Sequence, residues 1–97
     1  MATATKPPKP PEIKVIDELQ KLGVKATFEY PGFILIVVNN LNYCYGTIND
    51  FWTGDINDDD GKSYGGIEME RFPPDHDPAI VANAIKNTLE LPLPKGN

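Results

Sequence analysis

Cysteine is almost absent from this chain of 97 residues: Cys44 stands alone, so no internal disulfide can form and the fold has to rest on packing. Histidine is equally scarce. With only His76 present there is no cysteine–histidine set for zinc, and neither a GxxxxGK[ST] phosphate loop nor a GxGxxG fingerprint occurs. The expectation is a protein without metal or nucleotide cofactor. Long apolar runs are missing as well, for no stretch approaches the roughly 18 apolar residues of a membrane span. The opening MATATKPPKPP lacks the apolar core of a secretory signal, which reads as a cytoplasmic protein that does not engage membranes. Basic residues are in the minority, nine against fourteen acidic ones, for a net charge of −5.

That charge is unevenly spread. Residues 1–25 balance to +2, whereas residues 50–77 hold nine acidic side chains against Lys62 and Arg71, a balance of −7. Phosphate contacts need clustered Lys and Arg, so direct binding to nucleic acid is disfavoured and a partner with a basic patch is favoured.

What is present reads as one small core of the α+β class. Residues 1–10, rich in small residues and proline, read as a flexible tail, residues 11–90 as a single domain and residues 91–97 as a second tail. A helix is expected over 11–22: Pro11 suits a first helical position, Ile13, Val15, Ile16, Leu19 and Leu22 recur at helical spacing, and Gly23 closes it as a Schellman-type cap. Residues 24–30 alternate as a half-buried strand, Pro31-Gly32 has the residues of a type II turn, and 33–38 is a strand apolar at every position.

Residues 41–57 read as one further strand with an interruption at Asn49-Asp50. Cys44, Ile48, Trp52 and Ile56 share even parity and are assigned to the core, while Tyr43, Tyr45, Thr47, Phe51 and Thr53 are assigned to the opposite face. The Asp58-Asp59-Asp60-Gly61 corner leads into a last strand over 63–71, with Ile67 and Met69 toward the core. Asp77 as N-cap and Pro78 open a second helix carrying the stripe Ile80, Val81, Ala84, Ile85 and Leu89. The expected architecture is therefore α-β-β-β-β-α: a four-stranded antiparallel meander with both helices on one face and an unusually aromatic open face.

Candidate chemistry is sparse. Residues 55–61 resemble a calcium loop in composition only, because aligning Gly61 with the turn glycine puts Ile56 and Ile67 where an EF-hand needs Asp and a bidentate Glu. Cys44 in the core and His76 in a loop do not promise a nucleophile–base pair, and Asp55, Glu68 and Glu70 would do acid–base work only in a pocket that raises one pKa. The leading expectation is a non-enzymatic protein-binding module: Tyr43, Tyr45 and Phe51 supply contact area while Asp55, Asp58, Asp59 and Asp60 steer a cationic partner. An inhibitor, an immunity or anti-defence protein, an escort chaperone and a homodimer joined through the open face all fit this description. A small-ligand or nucleotide-binding oligomer, using Tyr43, Tyr45 and Gly65-Gly66, is the alternative, and a carboxylate hydrolase ranks behind both.

Overall fold

A computed structural model describes residues 10–29 and 32–91; the expected tails at 1–9 and 92–97, Tyr30, and the Pro31 half of the Pro31-Gly32 turn lie outside them. The elements run α1 (Pro11–Lys21), β1 (Ala26–Glu29), β2 (Phe33–Val38), β3 (Leu41–Ile48), β4 (Phe51–Asp58), β5 (Ser63–Gly66) and α2 (Pro78–Thr88). The class is α+β, and the strands form one antiparallel sheet in the order β1-β2-β3-β4-β5.

The helix ends follow from their residues. Beyond Lys21, Gly23 adopts φ 84°, its N–H donates to the Gln20 carbonyl and the Val24 N–H to the Leu19 carbonyl, each at 3.0 Å. This pair of bonds is the Schellman motif, and it satisfies carbonyls that a helix terminus otherwise leaves open. At the start of α2 the Asp77 carboxylate accepts from the Ala79 N–H at 2.9 Å, and Pro78 fills the first helical position.

Five strands replace the expected four, and the reason lies in Asn49 and Asp50. Both have positive φ, 55° and 68°, as do Asn39 and Asn40 at 52° and 66°. Two consecutive left-handed residues make a two-residue hairpin of the primed type, whose twist matches that of the strands it joins. Residues 41–57 are therefore two strands folded back on each other, paired from Ile48↔Phe51 to Leu41↔Asp58. In this register every pair joins an odd position to an even one, and since paired residues point to the same face, the turn exchanges parity. The β2–β3 hairpin does the same, pairing Ile34 with Tyr45 and Ile36 with Tyr43.

The parity exchange corrects the face assignment in β3. Tyr43 and Tyr45 point into the core, 5% and 0% exposed, alongside Ile34, Ile36, Trp52 and Ile56. Thr47, expected outside, lies on this inner side, where its hydroxyl donates to the Glu12 carboxylate at 3.2 Å. Cys44, expected in the core, is only half-buried on the opposite face, and Ile48 is 49% exposed. Trp52 and Ile56 do occupy the core.

Both helices cover this inner face, α1 through Val15, Ile16 and Leu19 and α2 through Val81, Ala82 and Ile85. One buried polar thread ties the layers together. The Thr88 hydroxyl donates to the Ile85 carbonyl at 2.6 Å, so its single proton is committed and the Tyr45 hydroxyl, 2.6 Å away, must be the donor to Thr88. Burial holds the Tyr45 phenol well above its ordinary pKa, with the Thr88 bond pulling weakly the other way. Gly54, opposite Tyr45 across the β3–β4 ladder, makes room for its ring: a Cβ there would lie 2.7 Å from Tyr45 Cδ2.

The last strand is shorter than expected, ending at Gly66 after a register shift at Ile56/Asn57. The chain nevertheless stays beside β4. Ile67 N–H donates to the Gly54 carbonyl at 2.8 Å and Trp52 N–H to the Phe72 carbonyl at 2.9 Å. Ile67 and Met69 pack against the core and Phe72 enters it, 5% exposed.

Candidate functional site

The helices leave the other face of the sheet uncovered, and its composition is set by the positions the two hairpins turn outward. Across the strands one row is Thr27–Leu35–Cys44–Asp55–Gly66, with the pairs Glu29–Phe33 and Gly46–Thr53 on one side of it and Val37–Asn42–Asn57–Ser63 at the end where the acidic corner begins. Apart from Thr27, Gly66, Val37 and Ser63 at their ends, these rows line a shallow groove of about 590 Å³ that also takes in Ile48, Gly54 and Asp59. Gly46 is the reason Phe33 can lie flat over the floor, since a Cβ there would meet Phe33 Cδ1 at 2.7 Å.

Polar order surrounds this apolar floor. Asn42 Nδ2 donates to Asp59 Oδ1 at 3.0 Å and reaches Asn57 Oδ1 at 3.4 Å, while Asn57 Nδ2 points to Cys44 Sγ at 3.9 Å. Glu29, Asp55 and Asp59 are exposed, and no Lys or Arg is among the described residues that line the groove. Beyond the groove at the Phe51 end, the Arg71 guanidinium sits 5.7 Å from the Phe51 ring centre.

The expected site residues divide accordingly. Tyr43 and Tyr45 are withdrawn from the surface by the parity exchange, so neither offers an aromatic platform to a partner or a base. Phe51 is 38% exposed on the open face beside Ile48, and Asp55 and Asp59 border the groove. Asp60 is exposed in the corner. Asp58 serves the turn itself: its Oδ1 accepts from the Asp60 and Lys62 N–H groups at 3.0 and 2.9 Å, and its Oδ2 from the Tyr64 hydroxyl at 3.4 Å. That is the role Asp favours where a chain reverses. Phe33, Leu35, Asn42, Cys44 and Ile48 were not expected at the site, though counting parity through each two-residue turn finds them.

The groove offers little to catalysis. Cys44 is its nucleophilic atom, but burial first, and the Asp55 charge second, push its thiol above the ordinary range, with Asn57 opposing weakly. His76 stacks on Phe72, ring centres 4.7 Å apart, and Phe72 belongs to the helix-covered core, the far side of the sheet from Cys44. Glu68 and Glu70 are exposed on the segment after β5. Among the described residues no group of three or more His, Cys, Asp or Glu could hold a metal ion, and no helix is long and apolar enough to cross a membrane.

Compared with known proteins, the chain matches no family model, no curated sequence and no solved structure.

Proposed function

We infer that this chain is a non-enzymatic binding module that engages a basic surface of another protein, in the manner of an inhibitor, an immunity or anti-defence protein, or an escort chaperone. One observation carries the reading: an open sheet face with an apolar floor of Phe33, Leu35 and Ile48, bordered by Glu29, Asp55 and Asp59 with no cation among the described lining residues. Apolar side chains supply the area removed from water, and carboxylates at the rim steer a cationic partner and reject acidic ones. The acidic corner at Asp59 and Asp60 extends the negative field past the end of the groove.

The test is affinity capture from the native host with the full chain and with an Asp55→Lys/Asp59→Lys variant, at low and moderate salt. Partners that are basic, released by salt and lost with the charge reversal are the expected outcome. Recovery of the same proteins by both forms would refute the reading. A small-ligand site built on Tyr43 and Tyr45 has lost its platform, and no other observation favours it.

A further inference from the structure

Three features narrow what lies in the groove. First, β2, β3 and β4 are interior strands, each paired on both sides, so the floor presents side chains and no free backbone ladder. An extended peptide laid on it would bury its own N–H and C=O groups with few partners, because Asn42 and Asn57 already donate to Asp59 and Cys44. A helix brings its backbone bonds with it. Second, among the described residues the sheet has its helical layer on one side only, and an apolar sheet face is ordinarily completed by a second layer. Third, the charges select the sign. A second copy of this chain would bring Glu29, Asp55 and Asp59 against the same three groups, with −5 on each copy. Repulsion therefore disfavours the self-association expected from the sequence.

We propose that the groove receives a cationic amphipathic helix of a partner protein, its apolar stripe on Phe33, Leu35 and Cys44 and its Lys or Arg residues against Glu29 and Asp55. The spacing supports this geometry. Glu29 on β1 and Asp55 on β4 are separated by three strand spacings and one two-residue step, roughly 16 Å at about 4.8 Å per strand. That is about three turns of helix, so cations some 11 residues apart fall on the same face as the apolar stripe between them.

This proposal rests on the basic-partner reading and is tested so that the two can fail separately. The intact 97-residue protein is titrated with two synthetic peptides of the same Leu and Lys content, about 15 residues long, one with leucine at helical period and one with strict alternation. Binding is read by calorimetry and by amide shifts in a two-dimensional NMR spectrum. The helical-period peptide is expected to bind roughly tenfold more tightly and to shift Leu35, Cys44 and Thr53. Leu35→Asn should abolish that preference, Asp55→Asn/Asp59→Asn should weaken both peptides, and Glu18→Gln/Glu90→Gln, on the helix side of the sheet, should change neither. Equal binding of the two peptides, or a preference that survives Leu35→Asn in a folded variant, overturns the helix and leaves a basic partner standing. Absence of binding by both at low salt overturns the helix and the basic-partner reading together.

Discussion

Replacing Tyr45 by Phe removes one oxygen from the only described contact in which a sheet tyrosine and α2 share a hydroxyl bond, and its effect should reverse sign with pH. At neutral pH the variant loses the bond to Thr88, 2.6 Å long and fully enclosed. A net loss of about 1 kcal/mol is expected, since Thr88 keeps its own donation to Ile85 and loses only an incoming proton. At high pH the balance changes. The folded phenol titrates above its ordinary value because burial disfavours the phenolate, whereas in the unfolded chain it ionises near pH 10. A raised folded pKa means stability that is complete below the unfolded value and is lost as pH rises toward the folded one. Linkage puts that loss at about 0.8 kcal/mol by pH 10.5 and about 1.4 kcal/mol by pH 11. Phe carries no such liability, so the two stability curves should cross between about pH 10.5 and 11. Urea unfolding followed by far-ultraviolet circular dichroism, repeated from pH 7 to 11 on both proteins, measures the difference directly, and ionisation of the other tyrosines and lysines cancels in it. A difference that stays constant to pH 11 would show that Tyr45 is not held neutral by its surroundings, and the reasoning would fail.

Other outcomes follow from the same packing. Gly54→Ala should destabilise by about 1–3 kcal/mol, because its Cβ would press on a Tyr45 ring that is enclosed and tethered through its hydroxyl. Gly46→Ala makes the same nominal clash with Phe33, which is half-buried at the groove and free to tilt outward, so it should cost less than Gly54→Ala; urea midpoints compare them, and an equal cost would contradict the tether. Cys44 should react with Ellman's reagent at pH 8 more slowly in the folded protein than in urea, and Asp55→Asn should speed the folded reaction by removing a charge that opposes the thiolate. Asp77→Ala removes the cap of α2 and should lower stability by about 1 kcal/mol, visible as a reduced Tm.

Much of this fold is legible in the residues because local and tertiary preferences coincide. Pro11, Gly23, Asp77 and Pro78 mark the ends of two helices whose apolar stripes face the core, and nothing in the tertiary structure opposes them. The sheet is harder, since its periodicity reports alternation and not which face is inner. Residues 41–57 keep an unbroken alternation across Asn49-Asp50, and reading them as a single strand puts Cys44 with Trp52. A two-residue hairpin pairs Thr47 with Trp52 instead, so the inner set becomes Tyr43, Tyr45, Trp52 and Ile56. Asn-Asp lacks the glycine that most strongly signals such a turn, so the sequence marks an interruption there and not a reversal. The site inherits that ambiguity: Asp55 and Asp59 stand where charge alone would put them, whereas the floor between them depends on the register.

The pairing of α1 with α2 over one face has a consequence for the order in which the protein can be made. During synthesis the five strands, each beside its predecessor in sequence, emerge before α2 does. Until Val81, Ala82 and Ile85 arrive, the sheet surface bearing Tyr45 and Trp52 is roofed by α1 alone. At about 5–20 residues per second the stretch from 67 to 88 takes on the order of 1–4 s to translate. For that interval the nascent chain shows apolar surface on both sides of its sheet, and the docking of α2 is the step that leaves only the acidic-rimmed side open.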